Sequence, residues 1–229
     1  MDRLAFLMVL LAFAGCAAHS VTYDPGVTAA DFVRGVDHPF FPLPMGGFWI
    51  YEGATERIEV RVLNETKTIM GVEATVVRDT VSVDGEVRED TLDWYGQDRD
   101  GNVWYLGEKT QEYERGKVVG TEGSWEWGVD GALPGIVMKA RPVADDEAYF
   151  QEFYRGEAMD EASVIQLNRT VPTPAGTFTD TVTTREWTRL EPGVEEWAHY
   201  ARGVGLVAKE ATKGSAAGEK ESLTGYHVG

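Results

Sequence analysis

Apolar and polar residues alternate along most of this chain with the period of a strand. The stretch ERIEVRVL sets Ile58, Val60 and Val62 against Glu59 and Arg61, as a half-buried strand requires. No long amphipathic helix is legible; the helical candidates are a turn around residues 29–33 and part of DDEAYFQEFYRG. Two Asp-Gly pairs, Asp84-Gly85 and Asp100-Gly101, sit between β-rich runs. Asp-Gly favours the two-residue hairpin turn, whose central positions both take positive φ. Two-residue turns would set Val83 opposite Glu86, Val77 opposite Leu92, Arg99 opposite Asn102 and Trp94 opposite Gly107. Alternation then predicts one face carrying Val77, Val81, Val83, Leu92, Trp94, Val103 and Tyr105. The opposite face would carry Val76, Val87, Tyr95, Trp104 and Leu106, so both sides need cover from the chain or from a ligand. The same register sets Asp93 opposite Glu108, where like charges repel. A cation or a shared proton would relieve the clash, but a slipped register, or side chains splayed into water, is the expectation.

Upstream, HPFFPLPMGGFWIYEG holds three prolines and two adjacent glycines, which predicts an extended, packed entry and a first strand from Trp49. A faint internal repeat, TIMGVEATVV with TPAGTFTDTV and GNVWYLGE with GVGLVAKE, suggests two similar meanders. Between them, residues 121–163 mix Gly and Pro with Trp125, Trp127, Ile136, Tyr149 and Phe150, too apolar for a disordered linker. The predicted fold is therefore all-β: a mostly antiparallel curved sheet or incomplete barrel, with meanders at about 48–120 and 164–229 and a long ordered irregular insertion at about 121–163. Residues 40–229 are expected to form one domain.

Composition narrows the setting. Of 229 residues, 38 are acidic and 21 basic, a formal charge of −17 that disfavours nucleic acid as a partner. The single cysteine, Cys16, excludes an internal disulfide and a thiolate metal cluster. It follows MDRLAFLMVLLAFAG, a short apolar run behind Arg3 that reads as a secretory signal over residues 1–15. Ala14-Gly15-Cys16 resembles a bacterial lipobox, which implies diacylation of Cys16 and a lipidated tether over residues 16–39. Ala17 after the cysteine implies sorting to an outer membrane, facing the periplasm. With no basic patch nearby, the lipid is the membrane anchor. A plain signal peptide with an incidental cysteine is the other reading.

Candidate chemistry is sparse. Asp98, Asp100 and Asn102 match the spacing of the first ligands of a calcium loop, but Val103 stands where such a loop has glycine and Lys109 where it has glutamate. A looser calcium site on these three residues is the residual metal candidate; a hairpin tip is the simpler reading. No nucleophile elbow or zinc-binding helix motif occurs, and His199 is expected to be a satisfied strand residue. Glu126, Asp130 and Glu152 lie near aromatics, as the acids of a glycosidase-like hydrolase would. Tyr95, Trp104, Trp125 and Trp127 are the candidates for holding an apolar or sugar-like ligand. No cofactor is expected.

DWYGQDRDGNVWYLGE, GSWEWGVDGALPGIVM and YFQEFYRGEAMDEASV, in this order, resemble a group of bacterial secreted proteins and lipoproteins without an assigned activity. The likeness runs from about Phe40 to Glu210 and implies a domain in which the middle segment is a fixed part, without a reaction or catalytic residues to carry over. A more distant likeness of GVGLVAKE and the repeated meanders to curved-sheet envelope lipoproteins of the LolA type implies carriage of an apolar ligand. The reading favoured by the sequence is an envelope-anchored, non-enzymatic binding or scaffold domain, with the hydrolase and the calcium-stabilised domain as alternatives.

Overall fold

The computed structural model describes residues 22–229; the expected signal peptide and Cys16 lie outside the described residues. Eleven strands carry the architecture: β1 (Phe48–Glu52), β2 (Glu56–Ile69), β3 (Val72–Val83), β4 (Glu86–Asp98), β5 (Val103–Glu114), β6 (Leu133–Met138), β7 (Asp160–Leu167), β8 (Thr181–Thr188), β9 (Glu195–Ala201), β10 (Gly205–Lys213) and β11 (Lys220–His227). β1 to β5 form one antiparallel meander and β8 to β11 another, and pairing of β11 with β1 joins them into one sheet. This is the all-β, nearly closed curved sheet that alternation predicts. Among the described residues the only helix is the 3-10 turn Ala29–Asp31.

The sheet's two ends meet on one short piece of chain. Tyr149–Phe150 pairs with β7, and after Gln151 the pair Glu152–Phe153 pairs with β6. The segment DDEAYFQEFYRG is thus an extended staple across the barrel seam, where a short helix was a candidate. Gly135 makes the seam possible: a Cβ there would fall onto the backbone of Gln151 and Glu152. The insertion is ordered, as its apolar content requires.

Two bulges decide which side chains face inward. Val83 pairs with Glu86 at the Asp84-Gly85 turn as predicted, but Val81 pairs with Glu89 while Ser82 pairs with Val87. Arg88 is therefore an extra residue, and every β4 side chain beyond it changes face relative to β3. At the second tip the loop has three residues, because Asp98 rather than Arg99 faces Asn102. A second shift, between the Trp94–Gly107 and Tyr95–Tyr105 pairs, restores the expected opposition of Trp94 and Gly107. Gly107 sits in that bulge at φ +135°, where a Cβ would collide with the Trp125 carbonyl oxygen. The predicted faces are accordingly wrong at Leu92 and Trp94, which lie opposite to Val77 and Val81. Tyr95 and Trp104 are likewise on different faces.

Two cores result. The inner one gathers Trp49, Tyr51, Val62, Val77, Val103 and Leu223 with Tyr95 and Tyr105 packed against it, and Val36, Phe40 and Leu43 close its end. The outer one packs Trp94, Trp104 and Leu106 under Phe32, Val76 and Trp127. Phe32–Val33 pairs with Asp98 and Gln97, and Phe32 presses on Gly96, where a Cβ would meet its ring at 2.9 Å. The fold therefore begins before Phe40, and the later part of the expected tether is a structural cover for the β3–β5 face.

Candidate functional site

Inside the barrel the inward rows change character along each strand. On β2, Val62, Val60 and Ile58 lead to Glu56; on β3, Val77 leads to Asp79, with Val81 beyond it. On β4, Tyr95 is followed by Asp93, Thr91 and Glu89, and on β5, Val103 and Tyr105 by Glu108 and Thr110. The second meander repeats the change: Ala162 leads to Asp160 on β7, Thr184 to Glu186 on β8, and Ala198 to Glu196 on β9. Val207 leads to Lys209 on β10, and Leu223 to Glu221 on β11. One part of the interior is an ordinary apolar core, and carboxyl groups line much of the rest, a region called the chamber below.

The chamber's focus is the pair that the sequence set face to face. Asp93 pairs with Glu108 across β4 and β5, and Asp93 is only 7% exposed. The expectation of a slipped register or of side chains splayed into water is therefore corrected: the bulges hold the two acids opposite each other and inside. Tyr105 Oη donates to Asp93 Oδ1 at 2.6 Å, and Thr110 Oγ1 donates to Glu108 Oε2 at 3.2 Å. Glu152 joins them from the seam, where its Oε2 accepts the indole N–H of Trp125 at 3.0 Å. The Tyr95 and Tyr105 rings stack with centroids 5.0 Å apart, and Trp125 stands edge-on to Tyr105 at 5.4 Å. Tyr95, Tyr105 and Glu108 are only partly buried, which leaves room for at least a water-sized molecule beside each.

Burial dominates the electrostatics. It pushes Asp93 up to about 7. Glu108 is raised well above the usual carboxylate range, by burial first and then by the charges of Asp93 and Glu89. Glu152 is raised likewise, by burial and then by Asp160 and Glu108. Asp160, 6% exposed, is lifted to about 7 by burial, and its Oδ1 has no hydrogen-bond partner. Burial also lifts Glu89 and Glu221 to about 7. These are the carboxyl groups that desolvation favours in the neutral form.

One ammonium stands against them. Lys209 Nζ lies 3.5 Å from Glu196 and 3.7 Å from Glu186. Burial pulls Lys209 down, but Glu196, Glu186 and Glu221 outweigh it and hold the amine above its ordinary value. Lys209 also lines a small surface recess with Gly53, Thr55, Glu56, Ala211, Lys220 and Glu221.

The other sequence candidates disperse. Glu126 faces outward and pairs with Lys67 at 2.6 Å, the lysine lying over the Trp94 ring. Asp130 is exposed at a turn with φ +50°. A hydrolase built on Glu126, Asp130 and Glu152 therefore has no common cleft; Glu152 alone enters the chamber. Of the proposed aromatic platform, Tyr95 and Trp125 face the chamber, while Trp104 and Trp127 belong to the outer core. The calcium candidates are committed elsewhere: Asp98 accepts from the backbone of Gly101 and Asn102, from the Asn102 side chain and from the Trp104 indole, each at 2.8 Å. Asn102 Oδ1 accepts from Ala140 N, and Asp100 is exposed. Among the described residues no three His, Cys, Asp or Glu side chains form a metal-ligand set. His199 is buried and bonded to Thr183 Oγ1 through Nδ1 at 3.0 Å, the satisfied strand histidine expected.

The sequence reading missed Asp79, Asp160, Glu186, Glu196, Lys209 and Glu221. The available signal was an acid at an inward position on strand after strand, which is readable only once the sheet order is known.

No family model matches the chain, and no curated protein matches it. Among solved structures, a candidate exported protein of Bacteroides fragilis with a YmcC-like fold aligns with 82% of this chain and 98% of its own, at 18% identity and a TM-score of 0.47. A candidate lipoprotein of Parabacteroides distasonis aligns over the same shares, 82% and 98%, at 14% identity and a TM-score of 0.45.

Proposed function

We propose that this protein is a non-enzymatic binding domain of the bacterial cell envelope whose ligand enters the acidic half of the barrel. The observation that carries the reading is the recurrence of acids at inward positions on strand after strand of both meanders. Burying this many carboxyl groups opposes folding unless protons or a bound partner offset it, so a chamber of this kind is retained for what it holds. The apolar part of the interior is occupied by packed side chains such as Trp49, Tyr51, Val103 and Leu223. The lipobox-like Ala14-Gly15-Cys16 supports anchoring through lipid on Cys16, and Ala17 supports the outer membrane. The three quoted phrases support membership of the secreted and lipoprotein group they resemble.

Two indoles provide the test. Trp125 reports on the chamber through its bond to Glu152, and Trp104 reports on the outer core through its bond to Asp98. A fragment library of cations, anions and neutral sugars is screened by the indole N–H resonances of both. Shifts at Trp125 with Trp104 unmoved support the reading; a library in which no member moves Trp125 overturns it. For the anchor, Cys16→Ser is expected to release the protein from membranes, and continued retention contradicts it.

A further inference from the structure

The chamber already contains one example of the group it accepts. The Lys209 ammonium lies between Glu186 and Glu196, on the β8–β10 side. Across the interior, Asp93, Glu108 and Glu152 have the same acidic character, yet their hydrogen bonds come from Tyr105, Thr110 and Trp125, all neutral donors. Asp160 lies between the two sides: it raises Glu152 by its charge and is itself lowered by Lys209. It is 6% exposed, sits at an inward position of β7, and presents an Oδ1 with no hydrogen-bond partner. Asp79 Oδ1, paired across β3 and β4 with Thr91, is also without one. Two inward acceptors, on Asp160 and Asp79, are thus left over, and among the described residues the donors bonded to Asp93, Glu108 and Glu152 are neutral.

From this asymmetry, and resting on the chamber as the binding site, we infer that the ligand is a small primary amine whose ammonium sits among Asp93, Glu108 and Glu152. Two features fit that class. Carboxylates with free acceptor positions call for N–H donors, which a quaternary ammonium or an alkali cation lacks. The stacked Tyr95 and Tyr105 rings and the edge-on Trp125 present aromatic surface beside the acids, and a cation near such surface gains from the ring quadrupole.

The probe is 1,5-diaminopentane, titrated calorimetrically into the purified protein near neutral pH, with tetramethylammonium and sodium as comparison cations. Saturable binding with a Kd of about 1 mM or tighter is expected for the diamine and not for the comparison cations. Glu108→Gln should weaken it about tenfold or more, while Glu126→Gln, on the outer face, should leave it unchanged. Because Glu108→Gln keeps the size and shape of a carboxyl group that burial favours in its neutral form, the variant should remain folded; the Trp104 indole resonance checks this. Absence of saturable diamine binding, equal binding of tetramethylammonium, or full affinity in Glu108→Gln overturns the inference. If neutral or anionic fragments move Trp125 while the diamine does not, the chamber stands as the site and the amine assignment falls. If nothing moves Trp125, both fall.

Discussion

The two halves of the barrel interior are built by the same strands and obey opposite rules. In the apolar half, Trp49 and Tyr51 are 3% and 5% exposed, and their polar atoms are satisfied by the carbonyls of Val204 and Leu206. In the acidic half, Asp160 and Asp79 keep oxygens without partners, and Lys209 is shared among several acids. One half holds the sheet together, and the other is supported by it. Stability should therefore respond with opposite signs when an apolar side chain is removed from one and a buried carboxyl group from the other.

The largest effect is expected at the apolar end. Trp49→Ala removes a buried indole and leaves the Val204 carbonyl without its donor, a loss of about 4 kcal/mol in denaturant unfolding. A loss under about 1 kcal/mol would mean that this half is not the structural core. Next comes the bulge that aims Glu108 inward: Gly107→Ala puts a Cβ against the Trp125 carbonyl at a positive φ, and should cost about 3 kcal/mol. Lys209→Met removes the ammonium facing Glu186 and Glu196. The loss should be about 2 kcal/mol near pH 8, moderated because the lysine side chain is 28% exposed, and smaller near pH 5. Asp93→Asn should have the opposite sign, stabilising by about 1 kcal/mol near pH 8, since it keeps the shape and removes a buried like charge.

The pH dependence joins these effects. Glu89, Asp93, Asp160 and Glu221 are raised to about 7, with Asp79, Glu108 and Glu152 raised well above their ordinary range. The groups facing them include Lys209, Glu186 and Glu196. Between about pH 4 and 7 the folded state holds protons that the unfolded chain has lost, so stability falls as pH rises through that window. The Tm at pH 5 is expected to exceed that at pH 8, and Asp93→Asn should shrink the difference. A Tm that rises with pH would contradict the assignment.

Much of this was legible in the chain. The alternation of Ile58, Val60 and Val62 and the turn at Asp84-Gly85 lead to the right fold class and to a correct first hairpin tip. The opposition of Asp93 and Glu108 was legible too, because the three-residue tip and the shift between Trp94 and Tyr95 cancel at that point. Arg88 carries no local mark of being an extra residue, and it alone moves Leu92 and Trp94 to the other face. The chamber depends on strands far apart in sequence: Glu152 and Asp160 reach it through the seam, and Glu221 through the pairing of β11 with β1. Local composition cannot report such convergence, and for the same reason Glu126, one residue from Trp125, looked like a partner of Glu152 while facing outward.

The central claim is that folding brings Asp93 and Glu108 together inside the barrel, away from water. The most direct measurement is a carboxyl carbon-13 titration of Asp93 and Glu108 in the folded protein. An Asp93 midpoint near 7, with Glu108 titrating above the usual carboxylate range and dropping in Asp93→Asn, is the predicted result; an Asp93 midpoint near 4, with a Glu108 midpoint indifferent to that substitution, would contradict it.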